Sequence, residues 1–211
     1  MMQSRLNSRR ENLIYASSAQ TKGWDVLQLA RHGVEDTAMK LRLAGITRES
    51  VVDGPGIRVV IYAQGCPHGC RGCQNPETHD AERGKLFDLE RVVEMVLEAR
   101  IAQGVTFSGG EPFAQAQAFA ELGRILIQHG LDIVTYTGYL WEDLASSSLP
   151  AWHDLLSVTT LLIDGPFSEN ERDPGLAFRG SRNQRIINVR QSFLSNEPRV
   201  VSGMYDARAM V

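Results

Sequence analysis

Arg58-Val-Val-Ile-Tyr-Ala63 leads through Gln64 and Gly65 into Cys66-Pro-His-Gly-Cys70-Arg-Gly-Cys73, and this stretch organises the rest of the chain. Its first half is rich in β-branched residues and bounded by Gly56 and Gly65, which predicts a buried β-strand. Its second half holds every cysteine of the 211 residues, spaced C-x3-C-x2-C. A strand that hands over to a cysteine loop at its C-terminal end suits an α/β fold, where ligands gather at that edge of the sheet.

A closed tetrahedral metal site takes four protein ligands, whereas a site that does chemistry keeps one position open. Iron–sulfur cubes are normally held by four thiolates. Three thiolates on a four-iron cube leave one iron for an outside ligand, and no fourth cysteine exists in this chain. Gly65, Gly69 and Gly72 allow backbone donors to approach the sulfides. The competing readings are a structural zinc site completed by His68 or His79, and inert thiols. Zinc sites more often show a second C-x2-C or Cys/His pair further along, and none follows here.

Outward from the first strand, apolar runs alternate with helical patterns. Asp88 is placed to cap a helix with its stripe at Leu89, Val92, Val93, Val96 and Leu97, closed by Gly104. Val105-Thr-Phe107 reads as a strand, and residues 114–128 as a helix burying Phe119, Leu122, Ile125 and Leu126, ended by His129-Gly130. Asp132-Ile-Val-Thr-Tyr136, Thr159-Thr-Leu-Leu-Ile163 and Arg185-Ile-Ile-Asn-Val189 complete the strands, with a short helix over 140–146. Strands separated by helices imply parallel pairing with right-handed crossovers. The units are too few for an eight-fold barrel, so the fold class predicted is α/β, an open partial (β/α) barrel. Cys66, Gly109, Gly138 and Asp164 each fall just past a strand's C-terminal end, which brings four motifs to one rim.

The termini read differently. Residues 1–20 are rich in Ser, Asn, Arg and Gln, and residues 24–31 suggest a short helix. Residues 1–38 are read as an N-terminal extension or an upstream start, 39–190 as the domain that carries the chemistry, and 191–211 as a loosely packed tail. A net charge of −3 gives no basic footprint for nucleic acid. No apolar run approaches the roughly 20 residues that span a bilayer, and the N-terminus lacks the apolar core of a secretory signal. Three clustered cysteines without others to pair suit a reducing cytoplasm.

Six ordered blocks then carry a resemblance: Val52-Asp-Gly-Pro-Gly-Ile-Arg58 before the cysteines, Gln74-Asn-Pro-Glu-Thr78 after them, Phe107-Ser-Gly-Gly-Glu-Pro112, Thr135-Tyr-Thr-Gly-Tyr139, Asp164-Gly-Pro-Phe167 and Arg179-Gly-Ser-Arg-Asn-Gln184. With the C-x3-C-x2-C, the chain resembles the radical S-adenosylmethionine (SAM) enzymes, and within them the activating proteins of anaerobic ribonucleoside-triphosphate reductase, which are glycyl-radical activases. The likeness spans roughly residues 39–189. It implies a [4Fe-4S] cluster on Cys66, Cys70 and Cys73, with SAM chelated at the open iron. Reductive cleavage would give methionine and a 5′-deoxyadenosyl radical, which abstracts hydrogen from a glycine of the reductase. Flavodoxin or ferredoxin is the electron donor the family implies, with neither nucleic acid nor membrane as partner.

The same resemblance makes Gly109, Gly110 and Glu111 candidates for holding the methionine end, and Gly138 and Asp164 for the adenosine. Each motif has a plainer reading. Ser108-Gly-Gly-Glu-Pro112 serves as a strand-to-helix turn with Glu111 at the positive helix end. Tyr136 and Tyr139 serve as packing, and Asp164-Gly165 as a turn. Most radical SAM enzymes carry an aromatic residue before the third cysteine; here it is Gly72, as in the reductase activases, so the adenine contact is unassigned. Arg179–Gln184 has no role derivable from its residues. The alternatives are an activase of another glycyl-radical enzyme such as pyruvate formate-lyase, 7-carboxy-7-deazaguanine synthase chemistry (which the blocks at 137–139 and 179–181 argue against), and a non-catalytic metal-binding partner module.

Overall fold

A computed structural model describes residues 39–202 and Tyr205. The extension over 1–38 and its expected helix lie outside the described residues. Seven strands form one mixed sheet in the order β3-β1-β2-β4-β5-β6-β7. They are β1 (Lys40–Ser50), β2 (Arg58–Ala63), β3 (Lys85–Asp88), β4 (Gly104–Gly109), β5 (Asp132–Tyr136), β6 (Leu161–Asp164) and β7 (Arg185–Asn188). The helices are α1 (Leu89–Leu97), α2 (Ala116–Gln128), α3 (Trp141–Ala145), α4 (Pro150–Val158) and α5 (Val189–Ser195).

The centre of the sheet, β2-β4-β5-β6, is parallel as predicted. Its flanks are not. β1 runs antiparallel to β2 and β3, and β7 antiparallel to β6. The expectation of parallel pairing for Arg185–Asn188 fails because only a short 3₁₀ turn, Glu169–Glu171, interrupts the chain after β6. A parallel return needs a crossover, usually a helix; without one the chain doubles back. The sheet is therefore an open row with β3 and β7 at its edges.

Alternation along the strands sorts the two faces. Val59, Ile61, Val105, Phe107 and Ile133 point to the helical side, where they meet Phe119, Leu122 and Leu126 of α2. The rings of Phe107 and Phe119 lie 4.8 Å apart. Burial of such side chains stabilises by about 1.5–3 kcal/mol each. The opposite face carries Val134, Leu161, Ile163 and Ile186 toward β7, with Tyr136 and Phe178 against them. This second face, free of the large helical cluster, is where the cavity opens.

Arg58 explains how the base of that face closes. Its guanidinium is 1% exposed. It donates to Thr106 Oγ1 at 2.9 Å, Pro55 O at 3.1 Å, Val105 O at 2.9 Å, and Asp132 O and Oδ1 at 3.0 and 2.6 Å. A buried charge is tolerable only when paired and bonded this completely. Gly104 does not close α1, as spacing suggested; it opens β4, where a Cβ would stand 2.6 Å from the Arg58 guanidinium nitrogens.

Asp88 occupies the cap position of α1 but makes no side-chain cap bond, pairing instead with Lys40 at 3.4 Å. α4 has no counterpart among the sequence expectations, although Pro150 at its first turn is an ordinary start signal. The chain after residue 190 is tied down through 202 rather than loose. Asn188 N donates to Arg199 O at 2.9 Å, and Val201 N to Ile186 O at 2.7 Å.

Candidate functional site

The parallel core brings the C-terminal ends of β2, β4, β5 and β6 to one edge, and a cavity of about 350 Å³ opens there. Its wall includes Cys66, Cys70 and Cys73, then Gly109, Gly110 and Glu111, and then Gly138. Loops far apart in sequence thus meet around one space, with Val52 and Arg179 on the remaining wall.

The cysteine loop holds its shape by backbone bonds. Gly65 N donates to Thr78 O at 2.8 Å, Cys66 N to His79 O at 3.1 Å, and Cys73 N to Cys70 O at 3.2 Å. Gly69 (φ 57°) and Gly72 (φ 72°) adopt the left-handed region that favours glycine. A Cβ on Gly72 would sit 3.1 Å from the Glu169 carboxylate, so the space beside this position is taken up from the 3₁₀ turn. Asn75 N already donates to Cys73 Sγ at 3.4 Å.

Burial pushes the Cys66 thiol above its ordinary value; the amides of His68 and Gly69 oppose this, while Glu111 and Cys70 add to it. Such thiols deprotonate on binding metal, so loading releases protons. Among the described residues no three His, Cys, Asp or Glu side chains converge as one metal ion requires. A cube asks instead for thiolates spread around one space, each on its own iron. The three cysteines, the Asn75 amide and an unpartnered Nε2 of His79 in that same wall fit such a group.

Glu111 is the junction of the site. Its side chain is fully buried. Oε1 accepts from Phe113 N at 3.0 Å; Oε2 accepts from Gly138 N at 2.9 Å and Thr137 Oγ1 at 3.1 Å, and lies 2.9 Å from His68 Nε2. One carboxylate therefore clasps the cysteine loop, the β4 turn and the β5 turn together. The glycines around it serve this closure. A Cβ on Gly109 would stand 2.7 Å from Tyr62 Cα, one on Gly110 2.4 Å from Gly65 O, and one on Gly138 2.4 Å from the His68 ring. The amides of Gly110 and Glu111 are bonded to Ala63 O and Gly65 O, both at 2.8 Å. The turn comes close to neighbouring backbone, where the spacing alone suggested closeness to a ligand.

Asp164 stands one residue short of the cavity wall at Gly165. Its fully buried carboxylate accepts from Trp141 N at 2.8 Å and from Arg185 Nε at 2.9 Å, with Arg185 Nη2 on the other oxygen. This anchors the start of α3 to the sheet edge. Arg185 also grips Glu142 at 3.0 and 2.7 Å, which holds the Glu142 carboxyl below its usual range. The 179–184 block braces itself: Gln184 Oε1 accepts from Gly180 N at 2.9 Å and Ser181 N at 3.2 Å. Tyr136 lines the cavity, and burial pushes its phenol well up, so it stays neutral. Tyr139 packs edge-on against His68 at 4.5 Å.

His68 is the residue that sequence reasoning undervalued. It entered only as a zinc ligand, whereas its partner lies 43 positions away. Tyr62, which also lines the cavity, could have been found, since alternation puts it on the same face as Arg58 and Val60.

The family model described as "4Fe-4S single cluster domain" matches residues 52–187. The anaerobic ribonucleoside-triphosphate reductase-activating protein of Vibrio cholerae is 35% identical over 146 residues, which cover 64% of this chain and 90% of that protein. Its namesake in Escherichia coli K12 is 31% identical over 150 residues, 66% of this chain and 94% of that one. The phage T4 protein of the same name is 34% identical over 142 residues, 64% and 86% of the two chains. A solved structure of QueE from Escherichia coli aligns with a TM-score of 0.39 and 18% identity over 47% of this chain and 53% of that one, too slight a likeness to argue from. With a cluster-domain match around the cysteine cavity and relatives covered almost from end to end, the chain belongs to the family of anaerobic ribonucleoside-triphosphate reductase-activating proteins, an iron–sulfur activase family.

Proposed function

We propose that the chain is a radical SAM activase of anaerobic ribonucleoside-triphosphate reductase. Cys66, Cys70 and Cys73 would hold a [4Fe-4S] cluster, and the wall formed by Gly109, Gly110, Glu111 and Gly138 would receive SAM, with Asp164 supporting that wall from behind. Residues 39–190 would act as the radical SAM domain, with the open sheet curling as a partial (β/α) barrel. With both groups bound, the cluster would pass one electron, received from an external donor, to the sulfonium–C5′ bond of SAM, and the chemistry so supplied would be abstraction of a hydrogen atom from a glycine Cα of the reductase.

The chain's own residues orient and enclose. Glu111 fixes the relative placement of the three motifs. The partly buried rings of Tyr136 and Phe178 form the apolar backing of the cavity's inner face. The cavity's open mouth suits a partner that must bring a glycine within contact distance, because hydrogen transfer needs near-attack geometry. A flavodoxin or ferredoxin would deliver the electron in a cytoplasmic setting; no helix among the described residues is long and apolar enough to cross a membrane.

The observation that carries this reading is the meeting of the only three cysteines with both glycine turns around one cavity. The experiment is anaerobic: combine the reconstituted protein, SAM, a reductant and the reductase, and record electron paramagnetic resonance. A glycyl radical on the reductase is the expected result. SAM cleavage that never transfers a radical to the reductase would assign the chain another target.

A further inference from the structure

Among the described residues two buried side-chain polar atoms lack a hydrogen-bond partner, His79 Nε2 and Asn183 Oδ1. Of the two residues only His79 lines the cavity of the three cysteines. A buried donor without an acceptor is unfavourable, and native structures rarely keep one without a reason. The position is not accidental slack. His79 N donates to Pro76 O at 3.2 Å, and His79 O accepts from Cys66 N at 3.1 Å. The neighbouring Thr78 is buried and receives the Gly65 amide at 2.8 Å. The backbone that carries the imidazole is thus bonded directly to the first cysteine. His68, the other histidine of the wall, has its Nε2 engaged by Glu111 and is not available for the same work.

We propose that His79, as its Nε2–H tautomer, donates a hydrogen bond to a sulfur of the cluster seated on Cys66, Cys70 and Cys73. This rests on the cluster reading above. It makes His79 a positioning residue, acting on the cluster's electron affinity rather than on the reacting atoms. A donor facing a thiolate or sulfide favours the more negative, reduced state, and such bonds are among the means by which proteins set cluster potentials. A SAM carboxylate could supply the same kind of anionic acceptor, and the two sources separate by experiment.

The test uses the full chain, reconstituted anaerobically, as the parent protein and as His79→Phe and His79→Gln. Iron and sulfide content is measured first, then the cluster midpoint potential by titration followed by paramagnetic resonance, with and without SAM. His79→Phe keeps a ring but removes the donor; it should lower the reduced-to-oxidised ratio at a fixed potential by about tenfold, or about 59 mV for a one-electron couple, whether or not SAM is present. His79→Gln, which retains a donor, should recover part of that shift, and His79→Leu, which removes it in a smaller side chain, replaces the Phe variant if that one fails to load. An unchanged potential in a fully loaded donor-free variant overturns the proposal. So does a shift seen only with SAM bound, together with weaker SAM binding, which would identify the carboxylate as acceptor. A parent protein that takes up no cube overturns this inference and the cluster reading together, whereas loss of radical transfer at normal potential would touch only the latter's choice of target.

Discussion

Removing the Glu111 carboxylate should unfasten the site more than any other single change at its wall. In Glu111→Ala four donors lose their acceptor: Phe113 N, Gly138 N, Thr137 Oγ1 and His68 Nε2. His68, 17% exposed, can turn toward water, and the Thr137 hydroxyl can rotate. The two backbone amides cannot leave. At about 1–3 kcal/mol for each buried donor left unmet, the loss is about 2–6 kcal/mol. Against a total stability of about 5–15 kcal/mol for an ordinary domain, that is a large share. Glu111→Gln keeps the size and one oxygen but turns an amide NH2 toward at least one donor, so about half that loss is expected. Urea denaturation followed by circular dichroism measures both, with the slope checked for constancy. The charge-clasp reasoning is refuted if Glu111→Ala costs less than about 1 kcal/mol at unchanged slope, since a buried carboxylate making these bonds could not then be holding three loops.

The other predictions concern the frame around that clasp. Arg58→Ala should cost about 2–4 kcal/mol, chiefly by leaving the carbonyl groups of Val105 and Pro55 without their donor while the half-exposed Asp132 carboxylate turns to water, and Arg58→Lys should rescue little because an ammonium cannot reproduce the fork; thermal melting checks both. Gly110→Ala should destabilise by about 3 kcal/mol, because its Cβ would press on backbone. Gly69→Ala, with open space around its Cβ, should cost only about 1–2 kcal/mol for its left-handed backbone, so equal losses in the two variants would contradict the packing account. Glu142 is held below the ordinary carboxylate pKa by Arg185, so its contribution is present above about pH 4.3 and fades as the pH falls through its lower folded value. Its side chain is half exposed, so Glu142→Gln should flatten the acid side of the stability curve by under about 1 kcal/mol; a change on the alkaline side would reverse the assignment.

What could be read from residue order was whatever depends on neighbours in the chain. β2 and β5 have the predicted limits because β-branched runs flanked by glycine or polar residues need no distant partner to be recognised. The stripe of α2 was legible for the same reason. β1 and β3 were not, since an antiparallel edge pair closes across 40 or more residues and leaves no local signature. Gly104 looked like a helix terminator because the guanidinium it makes room for belongs to Arg58, on another strand. The site divided along the same line. The cysteines, the Gly-Gly-Glu turn and Gly138 were recognisable as motifs, and they do wall one cavity. Their roles toward one another were hidden: nothing in the spacing says that Glu111 bonds His68 and Gly138, or that Asp164 spends its carboxylate on Arg185 and Trp141.

The most direct measurement is the paramagnetic resonance spectrum of the reduced, anaerobically loaded protein, with its iron and sulfide content, taken before and after adding SAM. One four-iron cube per chain, whose signal changes shape when SAM arrives and which is lost in Cys66→Ala, Cys70→Ala and Cys73→Ala alike, is the predicted outcome. Zinc in place of iron, or a cube whose signal is indifferent to SAM, would contradict the account.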